Sequence, residues 1–93
     1  MKCKNIKYAE HAVVQMFKRN ISTFEIEHTI SGGQIIKNYL DDKPYPSVLM
    51  IGVLDDKIIH VVVAHNSDKE ECIVITAYLP DPEIWNKDFK SKK

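Results

Sequence analysis

Apolar residues recur between positions 8 and 20 with the period of a helix. Five of them fall at i, i+3, i+4, i+7 and i+8 and therefore share one face: Ala9, Ala12, Val13, Met16 and Phe17. A second, polar stripe runs beside them and is formed by Tyr8, His11, Gln15 and Arg19. The pattern predicts a first helix over residues 8–20.

A second helix is predicted from its start and stop signals. Ser22 begins a capping box with Glu25 at the third helical position, and Ile26 continues the buried face. Gly32 or Gly33 is expected to end the helix in the left-handed conformation.

After residue 33 the pattern becomes that of strands. Segments 34–40, 47–54, 58–65 and 72–79 are rich in apolar and β-branched residues, and polar or proline-containing loops separate them. Short loops favour antiparallel neighbours. The sequence therefore predicts one α+β domain over residues 1–93, with two N-terminal helices followed by an antiparallel sheet of about four strands (ααββββ). Both helices should cover one face and leave the other face free for a ligand, and Trp85 is expected to pin the tail.

Charge is balanced overall but unevenly distributed. The 93 residues have no net charge, which argues against broad nucleic-acid affinity. Residues 1–8 and 86–93 each have a net charge of +3, whereas the segment between them has six basic and twelve acidic residues. The basic ends fit two interpretations, solubilising tails or charge that steers phosphate towards the protein.

Cysteine spacing and the lack of long apolar runs indicate the cellular compartment. Cys3 and Cys72 show no paired spacing, so structural zinc has no support and no cofactor is expected. An apolar leader and a run of about 20 apolar residues are both absent from the sequence. We therefore expect a cytoplasmic protein with free thiols and no membrane association.

Three side chains are candidates for acid–base and phosphate chemistry. His11 and Arg19 share the polar stripe of the first helix, and His60 lies on the third predicted strand. An imidazole transfers protons near neutral pH, and a guanidinium can bind phosphate with two hydrogen bonds. Each also fits an ordinary role, as a surface residue on the helix or a packed residue on the strand.

Four further residues could contact a ligand. Thr76 and Tyr78 lie on the last strand, on the face expected to include Cys72 and Val74, and would meet His60 if the strand register allows. In the loop before the second strand, Lys43 could hold a phosphate and Tyr45 could stack on a base. The alternative for that loop is a tight turn with the tyrosine packed down.

Four motifs together resemble, nearly end to end, the small bacterial proteins grouped as domain of unknown function 4258. On the first helix the matching residues are Tyr8, His11, Ala12, Met16, Arg19 and Ile21. The others are residues 42–47 in the loop, residues 59–62 in the third strand, and Ile75, Thr76, Ala77, Tyr78, Pro80, Asp81, Pro82 and Trp85 near the end.

That family is similar in layout to the RelE-like toxins. The resemblance implies a toxin of a type II toxin–antitoxin pair, with an antitoxin and RNA, including ribosome-bound mRNA, as its partners. A metal-independent endoribonuclease can use the RNA 2′-OH as nucleophile. We assign His11 and His60 as the acid–base pair, Arg19 to the phosphate, and Tyr78 and Thr76 to hydrogen bonds. The rival hypothesis is a non-catalytic protein-binding module, which the zero net charge and the single arginine favour.

Overall fold

Two helices pack on one face of a five-stranded mixed sheet in the computed structural model, which describes residues 1–93. The elements in chain order are β1 (Asn5–Tyr8), α1 (Glu10–Arg19), α2 (Thr23–Gly32), β2 (Gln34–Tyr39), β3 (Ser47–Val53), β4 (Ile58–Asn66) and β5 (Glu71–Tyr78). Across the sheet the strands follow the order β1-β5-β4-β3-β2. Neither helix has the length and apolar character needed to cross a membrane.

The prediction of a purely antiparallel sheet of about four strands is wrong. Residues before the first helix form β1, which pairs parallel with β5, while the other strand pairs are antiparallel. β1 places Ile6 and Tyr8 against the core and exposes Asn5 and Lys7. Only two apolar residues alternate in this strand, so the pattern was too short to indicate it, and α1 begins at Glu10 rather than at Tyr8.

The core lies between the helices and the sheet. The buried face of α1 contributes Ala12 and Met16, and that of α2 contributes Ile26 and Ile30. They pack on alternate residues of the central strands, among them Met50, Ile59, Val61, Val63 and Val74. The apolar stripe of α2 is buried as its sequence predicted, whereas that of α1 is buried only in part, because Val13 and Phe17 are 53% and 89% exposed.

The helix caps match those predicted from the sequence only in part. The capping box of α2 is confirmed, since the Ser22 hydroxyl accepts from the Glu25 amide at 3.1 Å and the Glu25 carboxylate accepts from the Ser22 amide at 2.9 Å. The left-handed glycine cap is wrong, because Gly33 is extended (φ −80°, ψ −177°) and leads directly into β2. Asn20, at φ 56°, provides a left-handed cap at the end of α1 instead.

The expectation of free thiols is also wrong, because Cys3 and Cys72 form a disulfide with a Cα–Cα distance of 5.6 Å. Parallel pairing aligns Ile6 with Cys72, and the segment before β1 runs beside the start of β5. The two cysteines are 69 residues apart, so their proximity depends on a strand pair that the sequence did not reveal.

Candidate functional site

The sheet face opposite the helices, here called the open face, carries His60. Alternation along β4 points Ile59 and Val61 into the helix-covered core and His60 and Val62 to the open face. His60 is nevertheless fully buried, with no exposed surface. It contacts residues of the C-terminal segment, residues 80–93.

A bulge in β5 places Thr76 and Tyr78, two polar residues of the last strand, on the open face with His60. Val62 pairs with Thr76, but the next residue of β4, Val63, pairs with Val74, so Ile75 is an extra residue in β5. The strand alternation is thereby reversed, and Cys72 and Val74 face the core instead of sharing a face with Thr76 and Tyr78. The predicted common face of these four residues is therefore wrong, and Tyr78 pairs directly with His60.

The C-terminal segment folds into a short closed structure of its own. The backbone amide of Trp85 donates to the Asp81 carbonyl in the turn after β5, and the amide of Asn86 donates to the Ser91 carbonyl. Trp85 is only 8% exposed and forms an isolated bridge with Lys92. The tryptophan therefore pins the tail to the sheet, as its position near the end of the chain predicted.

Both ring nitrogens of His60 are engaged. Nδ1 lies 3.2 Å from the Tyr78 hydroxyl, and Nε2 lies 2.7 Å from the carbonyl oxygen of Phe89. The Trp85 ring packs edge-on against the imidazole, with 4.5 Å between centroids. Burial lowers the pKa of His60, and the bond to the Phe89 carbonyl opposes that shift only in part. The imidazole is therefore neutral at pH 7, and it is not accessible to solvent.

Next to this buried contact lies a cavity of about 300 Å³ between β2, β3, β5 and the C-terminal segment, here called the lysine cavity. Its lining residues are Ile36, Lys37, Tyr39, Leu49, Tyr78, Trp85, Lys90, Ser91 and Lys92. The lining contains three lysines and no carboxylate. A cavity of this size is at the lower end of the range for small-molecule sites, about 300–1,000 Å³.

Aromatic rings rather than carboxylates lie beside two of these ammonium groups. Lys37 Nζ is 5.4 Å from the centroid of Tyr39, and Lys92 Nζ is 5.7 Å from that of Trp85. The chain's two salt bridges involve other lysines. The positive charge in the cavity is therefore available to an anion.

The tyrosines complete the chemistry of the cavity. Burial raises the pKa of Tyr78, and the nearby Tyr39 raises it further, so Tyr78 keeps its proton at neutral pH. Ammonium groups bind phosphate oxygens, and aromatic rings stack on bases. The arrangement suits a ligand that is anionic at one end and planar at the other.

The structure does not bring His11 and Arg19 to His60. Both are exposed on α1, whose buried residues Ala12 and Met16 face the opposite side of the sheet from His60. The predicted assembly of these three groups around one phosphate is therefore wrong, because α1 covers one face of the sheet and His60 lies on the other. Roles for His11 and Arg19 individually stay predictions.

A family model described as a domain of unknown function, DUF4258, matches residues 8–79, which is about three quarters of the chain. The chain belongs to the DUF4258 family. No curated protein and no solved structure matches it. In this DUF4258 protein the family match ends before the C-terminal segment, so Trp85, Lys90 and Lys92 lie outside it.

Sequence reasoning missed most residues of the lysine cavity in this DUF4258 protein. Two signals were present, the alternation of Lys37 and Tyr39 on the first predicted strand of the sheet and the basic C-terminal residues. Lys43 and Tyr45, proposed as substrate-binding residues, lie in the β2–β3 loop and do not line the cavity. Their proposed role stays a prediction.

Proposed function

We propose that this protein binds RNA in the lysine cavity and acts as the RNA-cleaving toxin of a type II toxin–antitoxin pair. The observation that carries the proposal is the lining of this cavity on the open face of the sheet, which has three lysines and aromatic rings but no carboxylate. Phosphate contacts from lysine and base stacking on aromatic rings are the usual means of binding single-stranded nucleic acid. The resemblance to RelE-like toxins supports the same class of substrate.

The chemistry of RNA cleavage fits the groups in the cavity. RNA supplies its own nucleophile, so the protein must stabilise the phosphorane and move two protons. Lys37, Lys90 and Lys92 would stabilise the charge, and lysine and tyrosine both serve as general acids or bases in enzymes. His60 is buried beneath the C-terminal segment, so we assign it no direct contact with RNA.

Induction of the chain in bacteria without a partner protein tests the proposal. We expect growth arrest with loss of intact RNA. A triple variant that replaces the cavity lysines should grow normally: Lys37→Ala, Lys90→Ala and Lys92→Ala. The matched control removes the same charge from exposed lysines outside the cavity: Lys4→Ala, Lys18→Ala and Lys69→Ala. Equal toxicity of the two triple variants would show that the cavity is not the RNA site.

The salt dependence of binding gives a quantitative test. Each phosphate contact with a single strand contributes a slope of about −0.7 to the plot of log K against log salt concentration. Three lysine contacts therefore predict a slope of about −2 for a short single-stranded RNA, measured by fluorescence anisotropy. The cavity triple variant should bring the slope close to zero, whereas the control triple should keep it.

A non-catalytic protein-binding module is the second candidate function, and one observation favours it. Large apolar side chains are exposed on the helices, with Phe17 at 89% and Phe24 at 76% exposure, together with Val13 on α1. Exposed apolar groups of this kind are typical of protein-binding surfaces, and an antitoxin would be the partner. Normal growth and intact RNA after induction would favour this function over the toxin.

A further inference from the structure

The contacts of His60 fix its tautomer. A carbonyl oxygen can only accept a hydrogen bond, so Nε2, at 2.7 Å from the Phe89 oxygen, carries the proton and donates. Burial lowers the pKa of His60 and keeps the ring neutral, so Nδ1 has a lone pair and no hydrogen. The Tyr78 hydroxyl, 3.2 Å from Nδ1, must therefore be the donor in that contact.

This tautomer determines how Tyr78 meets a ligand. A phenol has one proton, and that proton is committed to His60. The remaining lone pairs of the hydroxyl can only accept. Tyr78 lines the lysine cavity and is half-buried there, so its oxygen offers an acceptor among cationic donors.

A ligand that satisfies both kinds of group needs an anion and a hydrogen-bond donor. Phosphate oxygens accept from lysine, and the ribose 2′-OH can donate to a phenol oxygen. Deoxyribose lacks that donor. We infer that Tyr78 accepts a hydrogen bond from a ribose 2′-OH and makes the lysine cavity selective for ribonucleotides over deoxyribonucleotides. His60 is the positioning residue that holds Tyr78 in this acceptor role. The inference rests on the proposed function, because it names the ligand of the same cavity.

Mononucleotides test the inference without the complication of cleavage. The probes are nucleoside 3′-monophosphates in three forms, with a 2′-OH, a 2′-hydrogen or a 2′-fluorine, titrated against the full chain and followed by NMR. They have no 5′-linked leaving group, so they cannot be cut. One net hydrogen bond predicts that the ribo form binds about two- to tenfold more tightly than the other two forms. Tyr78→Phe should remove that preference, so the three forms should bind this variant with equal affinity.

The possible results separate this inference from the proposed function. If all three forms bind equally and the cavity lysine variants weaken them all, the ribose inference is wrong and nucleic-acid binding in the cavity survives. If none of the forms binds while induction still destroys RNA, both the inference and the location of the RNA site are wrong. If none binds and induction has no effect, the proposed function fails as well.

The role of His60 has its own readout. A long-range ¹⁵N–¹H correlation spectrum at pH 7 should show the Nε2–H tautomer of this histidine, and the Nδ1–H tautomer would overturn the inference. His60→Gln places an amide near the position of Nε2, where it can still donate to the Phe89 carbonyl, but removes the acceptor that faces Tyr78. The ribo preference should therefore fall in His60→Gln. A preference equal to that of the parent would show that His60 does not position Tyr78.

Discussion

Acidification below about pH 6.5 is expected to destabilise the fold through His60. In the folded chain the neutral ring is buried, donates to the Phe89 carbonyl and accepts from Tyr78. Burial lowers the pKa of His60 below the value of about 6.5 that it has in an unfolded chain. Below that pH the unfolded chain takes up a proton that the folded chain excludes. The contribution of neutral His60 to the free energy of unfolding is therefore complete well above pH 6.5. It decreases as the pH falls towards the pKa of His60 in the folded chain.

The size of the effect follows from one proton. A difference of one bound proton changes the free energy of unfolding by about 1.4 kcal/mol per pH unit. Urea denaturation at about pH 7.5, 6.5 and 5.5 should show a small loss over the first interval and a loss of up to about 1 kcal/mol over the second, because the unfolded histidine is only half protonated at pH 6.5. The fluorescence of Trp85 is a suitable signal, because it is the only tryptophan and its ring contacts the imidazole.

Two matched variants isolate the contribution of His60. His60→Gln does not titrate, so its free energy of unfolding should lose the part of the pH dependence that His60 supplies. The matched control, His11→Gln, removes an exposed imidazole from α1 and leaves the contacts of His60 intact. If His60→Gln and the parent chain show the same pH dependence, the buried neutral imidazole is not the source of acid sensitivity.

Three further predictions concern stability and can be checked by the same urea denaturation at pH 7.5. Cys3→Ser should lower the free energy of unfolding by up to about 4 kcal/mol, because the disulfide closes a loop with a sequence separation of 69; an unchanged value would show that the bond contributes nothing. Gly52→Ala should cost about 1–3 kcal/mol, since a Cβ would collide with the fully buried Thr29 of α2, and Gly52→Ser should cost at least as much. Ser22→Ala should cost about 1 kcal/mol through loss of the capping box, whereas Ser22→Thr should retain most of the stability.

Local signals predicted most of the fold, and long-range pairing accounts for what was missed. The capping box at Ser22 and the period of the strands depend on neighbours within a few residues, and they place both helices and four of the five strands. β1 has no comparable local signal, because its four residues are stabilised by β5, which lies at the other end of the chain. The disulfide depends on the same pairing. No local pattern of Cys3 or Cys72 indicates it.

The candidate site was also predicted only in part. Contact between His60 and Tyr78 was predicted as conditional on strand register, and the register aligns them directly. The bulge at Ile75 could not be foreseen, because residues 72–75 are all apolar and show no alternation that would reveal an extra residue. The convergence of His11 with His60 failed because helix periodicity identifies a buried face without showing which side of the sheet the helix covers.

The C-terminal segment links the stability of this protein to the binding that we propose for its cavity. Its Phe89 carbonyl fixes the tautomer of His60, and its Lys90 and Lys92 supply two of the three cations in the cavity. Zero net charge is therefore compatible with the proposed RNA site, because this segment brings its lysines next to Lys37 on β2 in a cavity whose lining has no carboxylate. Any change that lifts the segment from the sheet must expose His60 and disperse the positive charge at the same time. Conditions that protonate His60 should therefore weaken anion binding in the cavity, although they add a positive charge to the protein.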